Sequence, residues 1–229
     1  MNHKTWTGAA ISSAPILFMA AFTLLQINFE YPDILRQPAA TVMNKFVAGG
    51  SGLMANWYLM VVAAGLFIPI AVLLHHYLVR DDTPFIPAAT ALGVTAGIMQ
   101  MLGFVRWPFM VPMLAATYVN PATSAATRAA IEVTFNAFNQ YAGLGVGEHL
   151  GYLFTALWTI LIGLAMPKSK IFSAWQGWLG IALVLGILLG TLEPVGVPFV
   201  GAVNAIAYSF WALWLVLVGV TLIKNGDKK

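Results

Sequence analysis

Residues 143–166 read GLGVGEHLGYLFTALWTILIGLAM. From Leu150 onward the stretch is almost unbroken apolar residue, which as a helix rising about 1.5 Å per residue is long enough for most of a hydrocarbon layer about 30 Å thick. The apolar residues run on without the period-two alternation of a membrane β-strand, so a closed barrel is rejected. A helix is the remaining way to satisfy the backbone in lipid. The same stretch opens on an acid and an imidazole, Glu148 and His149, set among Gly143, Gly147 and Gly151. It therefore decides the fold and raises the question of function.

Five further windows share this character. With the first they give spans at about 8–28, 53–79, 85–117, 144–166, 172–192 and 199–223. Composition agrees: of 229 residues, 60% are hydrophobic and 8% charged, where a soluble domain carries about 25% charged residues. So few charges cannot cover a water-facing surface, which excludes a soluble enzyme, a disordered chain and a nucleic-acid binder with a basic face. The fold class is all-α: a polytopic membrane protein, one domain over 1–229, built as a six-transmembrane-helix bundle with short amphipathic helices on the outer side. The first window is full length and lacks a small-residue cleavage site, so it reads as a retained span. With Cys 0, disulfides, thiolate nucleophiles and cysteine metal sites are excluded. The spans do not align with one another, which gives no support to an inverted-repeat transporter.

Basic residues set the orientation. With the N-terminus inside, Lys4, Arg80, Lys168, Lys170, Lys224, Lys228 and Lys229 fall on the cytoplasmic face, and Arg36, Lys45 and Arg128 on the outer face. This predicts a multi-pass protein of the inner (plasma) membrane with both termini cytoplasmic. The inner connections are short turns at 81–84 and 167–170. The outer ones are longer. In 29–52, Pro38 followed by Val42, Phe46 and Val47 predicts a short amphipathic helix stopped at Gly49-Gly50. In 118–143, a turn at Asn120-Pro121 precedes a helix from about 124. That helix puts Glu132, Asn136, Asn139 and Gln140 on one face and Ile131, Phe135 and Phe138 on another, as for a helix lying along the outer interface. Its polar face lies at the interface or walls a cavity.

Ionisable groups at membrane depth are costly and mark candidate sites. Arg106 lies in Gly103-Phe104-Val105-Arg106-Trp107-Pro108, where the proline frees a carbonyl one turn earlier, near Phe104. A guanidinium there needs a carboxylate, carbonyls or an anionic ligand. An Arg–Glu lock between helices and a ligand site both answer that need. Glu148 begins a polar stripe that continues through Tyr152, Thr155 and Thr159, so this face meets protein or water. Glu148 is a proton-relay or pairing candidate and His149 a base or ligand candidate; satisfaction within interhelical hydrogen bonds is the plainer role for both. Alternating topology puts Glu30, Arg106, Glu132, Glu148, His149 and Glu193 at one level, and this predicts a polar, outward-facing cavity lidded by 29–52 and 118–143. No His-x-x-x-His or Glu-x-x-His pair occurs, and His75-His76 lie at the opposite level from His149, roughly 20–25 Å away. Neither a metal nor a bis-histidine haem is therefore expected, and no cofactor is assigned.

Three stretches resemble a known family: Ala39-Ala40-Thr41-Val42 through Asn56; Gly143 through Tyr152 with its apolar run and Pro167; and Trp178-Leu179-Gly180-Ile181-Ala182. The family is a set of bacterial six-span membrane proteins of about this length, catalogued as domain of unknown function 4386. The resemblance implies the six-span fold, the membrane location and a histidine near the start of the fourth span, where His149 stands. It implies no particular activity.

The leading functional expectation is small-molecule or ion binding or transport, with Arg106 as the anion or dipole partner and Glu148, His149 and Glu193 binding or relaying protons. Pro108, Pro112 and Pro194 would supply broken backbone at such a site. The alternatives are a non-catalytic sensor or partner subunit with a structural polar cluster, and an enzyme acting on a lipid or apolar substrate at the outer interface. The reading leans away from an enzyme and assigns no catalytic residue. Expected partners are membrane lipids, the ligand and, through the glycine ridges, a second copy of the chain, but no nucleic acid.

Overall fold

Pro38 and Gly50 show how local chemistry lays out the helices. Pro38 precedes α2 (Ala39–Gly65) with ψ near 142°, a position where its missing N–H removes no helical bond. Gly50 takes φ 56° and ψ −151°, a conformation that L side chains rarely adopt. α2 is therefore two helices meeting at a kink, an amphipathic segment over 39–49 and a span continuing into α3 (Phe67–Leu78). Val42 and Phe46 of the amphipathic segment are buried, as expected, but Val47 is 43% exposed. Helical spacing explains this, since Phe46 is one turn beyond Val42 while the next residue rotates off that face.

The computed structural model describes residues 3–226; Lys228 and Lys229, assigned above to the cytoplasmic face, lie outside them. α1 (His3–Phe29) is the first span. The third is broken at Val105 and Met110 into α4 (Ile86–Phe104), α5 (Arg106–Phe109) and α6 (Val111–Val119). α7 (Ala125–Phe138) is capped by Ser124, whose hydroxyl accepts the Thr127 N–H at 3.1 Å. The sequence suggests that a separate interfacial helix precedes the fourth span. The backbone instead stays helical from Ala125 to Lys168. A wide π-helical stretch, Asn139–Leu150, joins α7 to α8 (Gly151–Ala165). No proline interrupts this junction. Phe138, placed on the apolar face by periodicity, is 48% exposed, whereas Asn139 is buried. α9 (Ala174–Leu189) starts with a Ser173/Gln176 capping box, and α10 (Val200–Gly226) closes the bundle.

Six helical stretches are long and apolar enough to cross a membrane, and no strand occurs among the described residues. The chain is a multi-pass helical membrane protein. Alternating spans gather the short turns, 79–85 and 169–173, at one end, where Lys168 Nζ donates to the Asp82 carbonyl at 2.6 Å. Arg80 Nε also donates to the Asp82 carboxylate there, at 3.0 Å, holding that acid below the usual carboxylate range. The longer connections, including 30–38 and 190–199, gather at the other. Two apolar cores stack between these ends. One, toward the short turns, centres on Trp158, Trp211 and Trp214. The other, toward the long loops, centres on Trp57 and Trp107, whose rings stack at 4.5 Å with 5° between planes.

Candidate functional site

Gly143, Gly147 and Gly151 all face the third span. A Cβ on Gly151 would lie 3.3 Å from Gln100 Cγ, one on Gly147 2.8 Å from the Gly103 Cα, and one on Gly143 2.6 Å from Arg106 Nη2. This ridge lets α4 and the π-helical stretch touch backbone to backbone. It also leaves the volume that the Arg106 guanidinium occupies.

Arg106 is 7% exposed. Its Nη1 donates to the Gly103 carbonyl and its Nη2 to Asn139 Oδ1 at 2.9 Å. Its guanidinium carbon sits 5.2 Å from the Trp107 ring centroid, within cation–π range. Nε is buried without a partner. The carbonyl that it takes is that of Gly103, one residue before the Phe104 carbonyl expected from Pro108. Among the described residues no carboxylate lies within 4.0 Å of Arg106. The Arg106–Glu148 ion pair is not formed.

Arg106 instead lines a cavity of about 230 Å³ where the two cores meet. Glu148, Tyr152, Asn139, Glu193 and Arg36 share its polar end, and Gln100, Asn204 and Tyr208 line it further along. Its remaining walls are apolar, with Phe18 and Phe22 from α1, Met60 and Phe67 from the second span, and Trp211 and Leu215 from α10. Arg36 and Glu193 pair across the long-loop end of the cavity, joining the 30–38 loop to the end of the fifth span. Burial pulls the Arg36 guanidinium down and the Glu193 hydrogen bond and charge pull it up, with the balance lying above its usual value.

The polar stripe below Glu148 meets protein. Thr155 and Thr159 are fully buried. Gln100 Nε2 donates to Thr155 Oγ1 at 3.1 Å and to the Tyr208 hydroxyl at 3.3 Å, and Trp211 Nε1 donates to Thr159 Oγ1 at 3.0 Å. Third, fourth and sixth spans are thereby tied at one depth, forming the floor of the polar end.

The structure thus gathers Arg106, Glu148, Tyr152 and Glu193 around one cavity and leaves Glu30, Glu132 and His149 outside its lining. Glu30 pairs with Lys45 at 2.5 Å. Glu132 accepts the Tyr118 hydroxyl at 2.6 Å. His149 follows Glu148 by a single residue, so the helix turns it off that face, and it is exposed. Residues that the sequence reading did not single out complete the site: Arg36, Tyr31, Gln100, Asn204 and Tyr208. Tyr31 is buried, which raises its phenol well above the usual range. Lone side-chain amides in apolar spans, Gln100 and Asn204, were the available signal, because such groups also seek protein partners in lipid. Asn204 finds the Ile187 carbonyl at 2.8 Å. Among the described residues no three His, Asp or Glu side chains converge as metal ligands would.

These features define an integral membrane protein with a mixed polar and apolar cavity between its spans. The chain belongs to the family described as Domain of unknown function (DUF4386), whose model matches residues 6–220. No curated protein and no solved structure matches it.

Proposed function

We propose that this protein binds a small molecule or ion in the cavity beneath the Arg36–Glu193 pair, on the side that the distribution of basic residues makes the outer one. One observation carries the reading: Arg106 and Glu148 face the same cavity without pairing to each other. A buried guanidinium whose direct partners are a carbonyl and an amide has no contact ion pair to offset its desolvation, which costs several kcal/mol in a medium of low polarity. A ligand in the void would offset it. If the cavity opens alternately to the two faces the same site serves transport; with a fixed opening it serves binding or sensing. His149, a base or ligand candidate, lies on the exposed face of the helix that carries Glu148 and does not join Glu148 and Glu193 at the cavity.

Solvent extraction of protein purified from membranes, followed by mass spectrometry, tests the reading. A species present at about one per chain in the wild type is expected, falling at least tenfold in Arg106→Gln. Identical extracts from the two proteins, with Arg106→Gln lowering only the unfolding temperature, would assign the polar cluster to structure alone.

A further inference from the structure

The cavity's charges, size and lining together select a class of ligand. Four formally charged residues line it: Arg36, Arg106, Glu148 and Glu193. Arg36 and Glu193 satisfy one another at the long-loop end. What remains is one cation and one anion, Arg106 and Glu148, both lining the void and not in contact as an ion pair. A purely anionic ligand would answer Arg106 and set like charge against Glu148, and a purely cationic ligand would do the reverse. A head carrying both charges answers both. Tyr31, Phe22 and Tyr152 add aromatic surface at this end, suited to an ammonium group.

The size and walls of the cavity define the rest of the molecule. The void of about 230 Å³ is far smaller than a whole lipid, so an amphiphile bound there would leave most of its length outside it. Below the polar end the back wall is sealed, for Met60, Ala63, Ala64, Phe67 and Ile70 are all buried. The opposite wall is the seam between α1 and α10. These two helices touch at the short-turn end, where a Cβ on Gly8 or Gly219 would meet the other's carbonyl oxygen at 2.5 Å. Carrying that antiparallel register along brings Phe22 level with Ala205. Both line the cavity, Phe22 is only half-buried and Ala205 is exposed. The lining of the cavity thus includes surface residues of both α1 and α10 in the half of the bundle nearer the long loops.

We infer that the ligand is a zwitterionic amphiphile, its anionic group on Arg106, its ammonium on Glu148, and its apolar tail passing between α1 and α10 into the bilayer. This rests on the binding reading above and narrows it to one class of ligand.

Equilibrium binding to the full chain in a neutral maltoside detergent tests it, with four probes: lysophosphatidylethanolamine, lysophosphatidylglycerol of the same chain, the matching monoacylglycerol and free phosphoethanolamine. The zwitterionic lysolipid is expected to bind at least tenfold tighter than either chain-matched competitor and at least a hundredfold tighter than the free head group. Glu148→Gln, a near-isosteric change, should bring the two lysophospholipids within twofold of each other while both still bind. Ala205→Trp should weaken the acylated probe at least tenfold. Wild-type binding that is equal for the zwitterionic and anionic lysolipids, or tighter for the anionic one, overturns the zwitterion. Free phosphoethanolamine binding as tightly as its acylated form overturns the amphiphile. Failure of all four probes overturns the inference while a stoichiometric, Arg106-dependent species in the solvent extract keeps the binding reading standing; failure of both experiments removes both.

Discussion

Arg106 owes its position to a neighbour with no side chain. The guanidinium lies where a Cβ on Gly143 would come within 2.6 Å of Nη2 and 2.9 Å of the central carbon. A methyl group there must push aside a charged group already held by the Gly103 carbonyl and Asn139. Overpacking of a filled interior typically costs about 1–3 kcal/mol. Gly143→Ala is therefore expected to lower the unfolding temperature in detergent by several degrees and to displace Arg106 from the cavity, weakening ligand binding with it. Gly145→Ala is the internal control. It lies two residues on in the same π-helical stretch, but its nearest neighbour would be the Gln140 carbonyl at 3.6 Å, an ordinary contact. Unfolding curves that shift equally for the two variants would show that winding of the stretch, and not room for Arg106, is what Gly143 provides.

Among the elements, those whose signal is local were legible in the sequence, and those set by packing were less so. The six apolar windows are continuous stretches of about 20 residues, and Pro38 at a helix start is read from residues within one turn. The windows could not show that the fourth span continues α7 through π-helical backbone, because only contact with α4 reveals where the extra winding goes. Nor could they separate Glu148 from His149. Adjacent residues share a depth, but the helix turns one toward the cavity and the other to the surface. Depth was readable from hydropathy, whereas azimuth depended on the Gly103–Gly147 crossing. The kink at Gly50 is a local feature with a measurable consequence. It separates the amphipathic segment over 39–49, which covers the aromatic core through Phe46, from the span that carries Met60 and Phe67. Gly50 has open space around it but φ 56°, so Gly50→Ala is penalised by backbone strain alone, on the order of 1–3 kcal/mol. Gly52→Ala, also in open space but without a positive φ, should be neutral or gain up to about 1 kcal/mol from helix propensity. Chemical or thermal unfolding of the two variants in one detergent checks the contrast. Equal behaviour would mean that the chain is continuous at the kink.

At the scale of the whole molecule the cavity has a direction, and that direction decides its use. The polar end lies with the long loops, and the short turns cap the sealed end near Trp158 and Trp214. The excess of basic residues beside the short turns argues that this end faces the cytoplasm, which would open the polar end, with the Arg36–Glu193 pair across it, to the outside. The chain contains no cysteine, so single cysteines can be introduced without a background. Ser124→Cys replaces the α7 cap in a loop at the long-loop end, and Ser169→Cys lies in the short turn before α9. In intact cells a membrane-impermeant maleimide is expected to label the first and to reach the second only after the membrane is permeabilised. Ser124→Cys forfeits a cap worth roughly 1 kcal/mol, and Thr123→Cys in the same loop repeats the measurement with that cap kept. The reverse pattern would turn the bundle over. The cavity would then draw its amphiphile from the inner leaflet, and the Arg36–Glu193 pair would face the cytoplasm. The fold, the charge accounting at Arg106 and Glu148 and the seam between α1 and α10 would all survive that inversion. Labelling therefore tests the membrane side of the site independently of its chemistry.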